Sequence, residues 1–483
     1  MAKLQISMLI GRKREQEILL SALNSDKAEM IAVVGRRRVG KTFLINSVYE
    51  KHIVFQQTGV RKASLENQLR TFKNSLELFS GDSIDQPKDW LDAFFQLRKK
   101  LEPFLTTKGK VVLFFDELSW LAGSNSDFLD FLGHFWNDWA SKQPIVIVLC
   151  GSVSSWIIKK VINDKGGLHN RVTQYIHLKP FSLAETEAFL LSKNIKFTHY
   201  QIVQLYMAMG GIPLYLEAIK AGQSVVKAID DICFSENGLL KNEFNRLYAA
   251  LFDNPDYHIE IIRALANKRK GLSRSQIIAS ANIPNGGAVT RVLEELQQSD
   301  FIMAYQPFGK KKKGKLYRLT DEYSLFYLKF IEENRYLGQG TWQQLSQTQA
   351  YKVWAGYAYE GICMKHIPQI KWALGVGGVY AQTYSFSKKA TEEEEGLQLD
   401  MVMERADRVI HIFEIKFYNS EFVLTKEYAQ KLRERQQLFQ SISKNRKLLF
   451  LTFITTFGLR TNQHSIGLVD QSLSLEDLFT KVR

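Results

Sequence analysis

Cysteine is scarce in this sequence, and long apolar runs are absent. The 483 residues include three cysteines, which lie far apart at Cys150, Cys233 and Cys363. An odd number of distant cysteines forms neither a disulfide framework nor a local C-x-x-C zinc site. Each cysteine is therefore expected to be a small buried apolar side chain.

The longest apolar runs, 145–150 and 111–115, have the length of a strand and fall well short of the roughly 18 residues that span a bilayer. The apolar stretch near the N-terminus is too short and too interrupted for a signal peptide. Hydrophobic residues make up 45% of the chain and charged residues 24%, which excludes collagen-like, mucin-like and largely disordered proteins. The sequence thus predicts a cytoplasmic protein that does not bind a membrane.

Basic residues outnumber acidic ones. The chain has 64 Lys and Arg residues against 50 Asp and Glu residues, so its net charge is +14. A surplus of this size favours polyanionic partners, nucleic acid first and an anionic membrane surface second, although many basic proteins bind neither. At about 150 residues per domain, the length corresponds to about three domains.

The pattern of apolar residues changes along the chain. Near-continuous apolar runs at 30–35, 111–116 and 145–152 alternate with amphipathic stretches, which predicts a parallel α/β sheet in residues 1–182. Helical spacing follows in 183–254, which predicts a helical lid. Residues 255–337 predict three short helices and a lysine-rich hairpin, the glutamine-rich residues 338–350 predict a linker, and strands return within 351–483.

Residues 35–42, GRRRVGKT, fit the pattern G-x-x-x-x-G-K-[ST] between a predicted strand and a predicted helix. In this pattern, glycines let backbone N–H groups surround phosphates, the lysine reaches the β- and γ-phosphates, and the threonine hydroxyl binds Mg²⁺. A glycine-rich turn without a ligand is the alternative. The residues predicted to contact the nucleotide are Gly35, Arg36, Arg37, Arg38, Val39, Gly40, Lys41, Thr42 and Phe43.

Acidic and polar residues follow the next two predicted strands. Asp116 ends the run VVLFFD, where it would hold Mg²⁺, and Glu117 would act as the general base that polarises water. Ser152 ends the next run and would sense the γ-phosphate, unless it is only a turn serine. Arg171 precedes another short strand. It would reach a γ-phosphate in its own or a neighbouring subunit, or pair with a local carboxylate.

These landmarks, together with MLIGRKREQEILLSAL at the start, KPF at 179–181 and GGIPLYL at 210–216, resemble the archaeal-type P-loop ATPases, which are related to the AAA and STAND groups. The resemblance covers about the first 250 residues. It implies an ATP site rather than a GTP site, with Gly11, Arg12 and Pro213 near the adenine. Without the resemblance, Gly211 and Pro213 predict the end of one helix and the start of the next.

The order of elements in 255–337 is that of a winged helix, which places its third helix in the DNA major groove and its hairpin against the backbone. Such a module predicts contacts with double-stranded DNA. A solvated edge, a protein-docking module and a spacer are the alternatives. The residues predicted to contact DNA are Thr290, Arg291, Lys310, Lys311, Lys312, Lys313, Lys315 and Arg318.

Asp400, Glu414 and Lys416 are polar residues inside two apolar strand runs. An antiparallel hairpin centred on Asp407 pairs residues whose numbers sum to 814, so Asp400 faces Glu414 and Lys416 lies on the same side. Two carboxylates would bind Mg²⁺ or Mn²⁺, and the lysine would orient water or stabilise the phosphate in phosphodiester cleavage. An exposed Glu–Lys hairpin is the alternative.

The pattern D-x(13)-E-x-K resembles the PD-(D/E)xK restriction-endonuclease-like superfamily, although no proline precedes Asp400. The resemblance implies that Glu360, in the helix before the first strand, completes the metal site. A decayed nuclease that only binds is the alternative. The expected fold class is therefore α/β, with a P-loop NTPase parallel sheet, helical lid, winged helix and C-terminal α/β endonuclease-like domain.

The expected function is an ATPase that acts on DNA and carries a metal-dependent nuclease-like domain. A nucleotide-gated regulator that binds DNA or a partner without cleaving is the second hypothesis, and a signalling switch without nucleic acid is the third. A homo-oligomer whose assembly depends on nucleotide is compatible with all three.

Overall fold

The structure is a computed structural model that describes residues 9–106, 109–123, 126–163, 166–268, 270–309, 314–388, 396–443 and 446–482. It divides into two compact units. The first comprises the described residues up to Lys179 with Glu294–Asp300, and the second comprises Pro180–Leu293 and the described residues from Phe301 onward. This division is coarser than the five segments expected from the sequence, because the second unit contains the segments that were expected to be separate.

A parallel sheet forms the centre of the first unit, as the apolar runs predicted. Its strands are β1 (Glu29–Val34), β2 (Ile53–Thr58), β3 (Val111–Asp116), β4 (Ile145–Gly151) and β5 (Gln174–His177), in the order β2–β3–β4–β1–β5. Every residue of β3 and β4 is buried, which explains why both runs are apolar on both faces. The carboxyl ends of the strands meet at one edge of the sheet.

Helices pack against this sheet through a core rich in aromatic side chains, which includes Phe72, Trp90, Phe94, Phe115 and Phe128. The helices are α1 (Lys13–Asn24), α2 (Lys41–Tyr49), α3 (Leu65–Ser80), α4 (Trp90–Leu105), α5 (Leu118–Ala122), α6 (Phe128–Asp138) and α7 (Ser154–Ile157), with a 3₁₀ turn at Ala140–Lys142 and a π turn at Ile158–Ile162.

The second unit begins with the helical stretch that the sequence predicted for 183–254. Capping boxes at Ser182 and Thr198 begin its first two helices, since each side chain accepts a hydrogen bond from the backbone three residues later. The helices are α8 (Leu183–Ser192), α9 (His199–Met209), α10 (Pro213–Glu217), α11 (Val225–Cys233) and α12 (Glu243–Leu251).

Helices and an antiparallel sheet follow in residues 255–337. The elements are α13 (Asp256–Ala266), β6 (Leu272–Ser273), α14 (Arg274–Ala281), α15 (Gly287–Gln298), β7 (Ile302–Tyr305), β8 (Leu316–Leu319) and α16 (Glu322–Phe326), the last continued by a π turn at Tyr327–Ile331. The strand order is β6–β8–β7. The helices and the β7–β8 hairpin were predicted, whereas the short strand β6 was not.

Residues 338–350, expected to be a linker, are packed instead. They contain α17 (Thr341–Leu345), whose Trp342 is only 2% exposed and lies against the rings of Phe234, Phe326 and Phe330. The Asp230 carboxylate accepts hydrogen bonds from the backbone N–H groups of Gly340 and Trp342. The buried Trp342 indole and the two backbone hydrogen bonds to Asp230 hold this segment in place, although its composition is rich in glutamine.

The C-terminal part of the second unit is a mixed sheet with flanking helices. Its elements are α18 (Gln349–Lys365), α19 (Ile367–Ala373), β9 (Ala381–Lys388), β10 (Leu397–Arg405), β11 (Val409–Lys416), β12 (Phe422–Val423), α20 (Lys426–Ser443), β13 (Leu448–Thr455), β14 (Leu459–Arg460), β15 (Gln471–Leu473) and a 3₁₀ turn at Leu475–Phe479. The large sheet has the order β15–β13–β11–β10–β9. The pairs Met401–Phe413 and Val402–Ile412 confirm the predicted hairpin register.

The structure shows the environment of the cysteines and the apolar character of the described helices. All three cysteines are buried, as predicted. Across the described ranges, no helix combines the length and apolar character needed to cross a bilayer.

Candidate functional site

The loop between β1 and α2 has the backbone shape that the predicted phosphate-binding loop requires. Gly40 has φ +90° immediately before α2 begins at Lys41. A Cβ atom on Gly35 would lie 2.3 Å from the Leu178 carbonyl oxygen, so a larger residue does not fit there. Both motif glycines are therefore explained by the local backbone, and the N–H groups at the start of α2 are directed toward the loop.

A chain of polar contacts connects Lys41, Ser152 and Glu117. The Lys41 ammonium donates to the carbonyl oxygens of Gly35 (2.9 Å) and Arg36 (3.1 Å) and to Ser152 Oγ (3.0 Å), and it is nearly buried. The Ser152 hydroxyl donates to Glu117 Oε1 at 2.9 Å, and its backbone N–H contacts Glu117 Oε2 at 3.3 Å. Ser152 thus lies beside both the predicted phosphate-binding lysine and the predicted general base.

Thr42 and Asp116 are in direct contact. The Thr42 hydroxyl donates to Asp116 Oδ2 at 2.7 Å, and the Glu117 backbone N–H donates to Asp116 Oδ1 at 2.9 Å. Asp116 ends β3 at the carboxyl edge of the sheet, where the loop after β1 also lies. A hydroxyl and a carboxylate oxygen are ligands that Mg²⁺ prefers, so these two residues fit the metal that accompanies a nucleotide.

Arg12 contacts the same loop. It lies just before α1 with φ +56°, is 5% exposed, and donates to the Val39 carbonyl oxygen at 3.2 Å. The Gly11 carbonyl accepts a hydrogen bond from Gln16. The remaining predicted nucleotide contacts are the buried Arg36, the partly exposed Arg37 and Arg38, the exposed Phe43 on α2, and Pro213, which begins α10 in the second unit.

Arg171 does not lie at the P-loop of its own chain. It is exposed and precedes β5, and the nearby Thr173 N–H pairs with Met30 at the start of β1. The P-loop follows the other end of β1, four residues or roughly 13 Å further along the strand. The contact of Arg171 with a γ-phosphate, in its own or a neighbouring subunit, therefore stays a prediction, and its position far along β1 from the P-loop favours the neighbouring subunit or a structural role.

The predicted acidic centre lies on β10 and β11 in the second unit. Asp400 Oδ2 accepts a hydrogen bond from the Ile415 N–H at 2.9 Å, which fixes Asp400 beside the strand that carries Glu414 and Lys416. Glu414 is 3% exposed, and its Oε1 lies 2.5 Å from the Lys416 ammonium. Although burial lowers the pKa of Lys416, the Glu414 and Asp400 carboxylates raise it above its usual value.

Helix α20 adds two side chains that the sequence did not predict. The Tyr428 hydroxyl donates to Glu414 Oε1, and an Arg435 guanidinium nitrogen lies 3.5 Å from Glu414 Oε2. Burial and the Glu414 charge raise the pKa of Tyr428 to about 12, so the hydroxyl keeps its proton. Their spacing of seven residues puts both on one face of α20, which was the available signal in the sequence.

Glu360 lies close enough to this acidic centre that the charges there change its pKa. Burial and the nearby Asp400 raise the pKa of Glu360 to about 8, and burial and Glu414 raise the pKa of Asp400 to about 6. A guanidinium nitrogen of Arg318 lies 3.8 Å from the Glu360 carboxylate. Within the described ranges, no group of three or more His, Cys, Asp or Glu residues could hold a metal ion. Glu360, Asp400 and Glu414 are thus not grouped as the predicted three-carboxylate metal site, and the Glu360 carboxylate lies beside Arg318.

Arg318 was predicted to contact DNA, and the structure gives it another environment. Its side chain is 13% exposed and lies against α18, where it contacts Met364 Sδ (3.3 Å) and the Tyr357 carbonyl (3.4 Å). Side chains alternate between the two faces of a strand, so an arginine on β8 can point either to solvent or into the protein. The Arg318 side chain points into the protein.

The other predicted DNA contacts are more accessible. Thr290 and Arg291 are exposed in the first turn of α15, and the Thr290 hydroxyl accepts a hydrogen bond from Arg274. Lys315 is exposed and lies 5.5 Å above the Tyr317 ring. Lys310, Lys311, Lys312 and Lys313 lie outside the described residues.

Residues 9–219 match a family described as an ATPase domain predominantly from Archaea. An uncharacterized protein of Methanocaldococcus jannaschii is 23% identical over 372 residues, which cover 75% of this chain and 78% of the relative. An uncharacterized ATP-binding protein of the same organism is 49% identical over 45 residues, which cover 9% of this chain and 76% of the relative.

Two solved structures share part of the fold. A Walker-type ATPase of Pyrococcus abyssi matches with a TM-score of 0.48 and 18% identity, covering 66% of this chain and 96% of that protein. The ORC2 protein of Aeropyrum pernix, solved as ADPNP–ADP complexes, matches with a TM-score of 0.41 and 16% identity, covering 70% of this chain and 96% of that protein.

Proposed function

We propose that the protein binds and hydrolyses ATP at residues 35–42 in order to act on DNA, since residues 9–219 match the ATPase domain family found predominantly in Archaea. The observation that supports this site most strongly is the direct contact between Thr42 and Asp116, next to the chain from Lys41 through Ser152 to Glu117. Residues separated by more than a hundred positions thereby meet at one edge of the sheet.

Each residue of this site has a proposed role. Thr42 and Asp116 would hold Mg²⁺, which when bound neutralises phosphate charge. Lys41 exchanges its contacts with the loop carbonyls for the β- and γ-phosphate oxygens. Glu117 accepts a proton from the attacking water, and Ser152 orients the Glu117 carboxylate through its hydroxyl and N–H groups. Because Arg171 is exposed and distant from its own P-loop, the proposal assigns it to the nucleotide of a neighbouring copy in a homo-oligomer.

Replacing Lys41 or Glu117 tests this assignment. We expect Lys41→Ala to lower ATP affinity and hydrolysis at least tenfold, because the phosphates lose their main cation. Glu117→Gln should retain ATP while turnover falls on the order of a hundredfold, the usual loss when a general base is removed. Filter binding of labelled ATP and phosphate release measure the two steps. Lys51→Ala, on an exposed lysine, is the control, and unchanged hydrolysis in both site variants would exclude the assignment.

We further propose that residues 255–337 form a winged helix that binds double-stranded DNA. Helices α13–α15 and the sheet β6–β8–β7 have the required order. Thr290 and Arg291 are exposed at the start of α15, where a recognition helix presents base-contacting side chains, and the chain carries a net charge of +14. Lys315 and the adjacent lysines at 310–313 would contact phosphates, whereas Arg318 is excluded by its contacts with α18.

The C-terminal domain is proposed to be a PD-(D/E)xK-like nuclease. Asp400 and Glu414 would hold Mg²⁺ or Mn²⁺ as a pair of facing carboxylates, which supplies Lewis-acid chemistry to a phosphodiester when bound. Lys416 would offset charge on the phosphate, and Tyr428 and Arg435 hold the Glu414 carboxylate in place. Burial and, after it, repulsion from the Glu414 carboxylate raise the pKa of Asp400, and a divalent cation would offset both by favouring the charged form.

A second function is favoured by the same contacts. Glu414 already has Lys416, Tyr428 and Arg435 as partners, so the centre is neutralised by its own side chains. Such a centre suits a nucleotide-gated regulator that binds DNA or a protein partner without cleaving. The two functions differ in whether Asp400 is needed for chemistry.

Metal-dependent cleavage of plasmid and linear DNA, with and without ATP, distinguishes them. A nuclease should cut in Mn²⁺, and Asp400→Ala should lose at least a hundredfold in rate because one of two metal ligands is gone. Asp407→Ala, on the exposed hairpin turn, is the matched control and should cut normally. If no DNA is cut while ATP hydrolysis is intact, the regulator is the correct description.

A further inference from the structure

The β7–β8 hairpin is joined to the C-terminal sheet by its backbone. Pro307, just after β7, forms a parallel bridge with Ser385 of β9, and the Phe308 N–H donates to the Ser385 carbonyl at 3.1 Å. The edge strand β9 thereby pairs with a residue of the module 255–337. Backbone pairing of this kind fixes both the direction and the register of the two segments.

The side chain of Phe308 strengthens this connection. Its ring lies 5.4 Å from the ring of Tyr384, 6.4 Å from Phe386 and 5.3 Å from Phe439. Phe308 is partly buried and packs against the hydrophobic core of the C-terminal sheet, although it belongs by sequence to the hairpin. Aromatic contacts of this geometry add to the free energy gained from burial.

Two ion pairs connect the other end of the hairpin and the following helix to α18. Arg318 on β8 contacts Tyr357, Glu360 and Met364, as described above. Glu322 at the start of α16 pairs with Lys365 at 2.6 Å, and Glu322 is buried. Together with Phe308, these contacts join the hairpin module to the C-terminal domain at three separate points.

We infer that the residues of 255–337 that belong to the second unit and the C-terminal domain hold DNA as one rigid body, so that the acidic centre faces a duplex at a fixed distance from the base pairs that the start of α15 contacts. This inference rests on the proposed DNA-binding function. A flexible tether would let the centre reach many positions along the duplex, whereas three attachments remove that freedom. The residues that fix the distance are Phe308 and Arg318, neither of which contacts DNA.

The distance can be measured without relying on cleavage by the protein itself. All three native cysteines are buried, so cysteines introduced at Gly286 and Ser420 can be labelled with an iron chelate that cuts DNA through hydroxyl radicals. Gly286 lies just before α15, and a Cβ atom there meets nothing within 4 Å. Ser420 is exposed four residues after Lys416. The doubly labelled full chain, Gly286→Cys with Ser420→Cys, is bound to a long duplex in the presence of ATP.

Fragments released between two cuts on one duplex should have one dominant length, whatever sequence the protein occupies. Adding Phe308→Ala and Arg318→Met should spread this length into a ladder while ATP hydrolysis stays normal. Phe95→Ala, on an exposed phenylalanine of the first unit, should leave the dominant length unchanged. A ladder from the doubly labelled chain with Phe308 and Arg318 intact would overturn the inference. Absence of cuts by either chelate would overturn the proposed DNA binding, and the inference with it.

Discussion

At the scale of single residues, two histidines are held in the neutral form by burial. His366 Nε2 accepts the Leu183 N–H at 3.2 Å, and its Nδ1 lies 2.8 Å from the Ile362 carbonyl, to which it donates. His411 is also buried, with Thr452 Oγ1 at 2.9 Å and an Arg405 guanidinium nitrogen at 3.0 Å. A protonated ring could not accept the hydrogen bond from Leu183, and a protonated His411 would face the positive Arg405.

Each of these two histidines predicts a contribution to the stability of the second unit that is lost in acid. Burial lowers the pKa of His366 and of His411 from 6.5 to about 4. Between these values each histidine binds more protons in the unfolded chain than in the folded chain, so its contribution to the free energy of unfolding falls as the pH falls below about 6.5, whereas the raised pKa values of Glu360 and Asp400 contribute with the opposite sign. Each histidine should contribute a loss of up to roughly 1.4 kcal/mol per pH unit. Urea denaturation at pH 7, 6 and 5 measures the effect.

Glutamine substitutions separate the two contributions. His366→Gln and His411→Gln should each reduce the pH dependence by about one proton, since glutamine does not titrate. His134→Gln changes an exposed histidine of the first unit and should leave the dependence as it is. Equal pH dependence in all four proteins would show that neither buried ring titrates on unfolding.

At the scale of elements, the β10–β11 hairpin could be predicted because its information is local. Alternating side chains and a polar turn fix the register, which places Asp400 opposite Glu414 without knowledge of the rest of the chain. The phosphate loop is local in the same way, since it needs only a strand, two glycines and the start of α2. The hairpin and the phosphate-binding loop could therefore be predicted from the sequence.

Contacts set by packing between distant elements could not be read in this way. Tyr428 and Arg435 reach Glu414 only because α20 lies against β11, and no spacing within 397–416 indicates that helix. The contacts of Arg318 with α18 could not be predicted for the same reason, because its partner Glu360 is on a different element. A basic residue in a strand has two possible directions, and only the tertiary fold decides between them.

Asp230 and α17 give a test at this scale. Asp230→Ala would remove the acceptor of the buried Trp342 N–H and of the partly buried Gly340 N–H, and an unsatisfied buried group costs about 1–3 kcal/mol. We expect the segment 338–350 to detach locally and to be cut by protease at least tenfold faster than in the unmodified chain. Limited proteolysis with mass spectrometry locates the cut.

The neighbouring Asp231 provides the control. Its carboxylate pairs with Lys227 and accepts hydrogen bonds from Gln223 and Gln339, and it reaches the segment 338–350 only through the exposed side chain of Gln339. Asp231→Ala should therefore cost less than about 1 kcal/mol, as is usual for exposed pairs. If both variants resist protease equally, α17 does not depend on Asp230. If both variants are cut within 338–350, the segment behaves as the linker that its glutamine-rich composition predicts.

At the scale of the whole molecule, composition predicted the general class but not the division into units. The sequence indicated several domains, and the structure has two compact units, because the segments from Pro180 onward share cores and ion pairs. Phe308 and Trp342 are examples, since each lies in a sequence stretch that is polar on average. A single packed aromatic residue joins segments, and average composition does not reveal it.

Net charge makes its own prediction at this scale, which concerns the salt dependence of DNA binding. If the lysines at 310–313 contact phosphates, their replacement by glutamine should weaken binding equally for all DNA sequences. It should also reduce the slope of log K against log salt by about 0.9 for each phosphate that is no longer neutralised. Lys315→Gln should reduce the slope by about one such step. Arg318→Met should leave the slope unchanged, because the guanidinium is bound to α18.

Fluorescence anisotropy of a labelled duplex over a salt series gives the three slopes. A slope unchanged by the four lysine substitutions would exclude the hairpin from the DNA interface, and the net charge would then act through another surface. A smaller slope in Arg318→Met would mean that Arg318 leaves α18 when DNA binds, because a guanidinium that keeps its partners Glu360 and Tyr357 neutralises no phosphate.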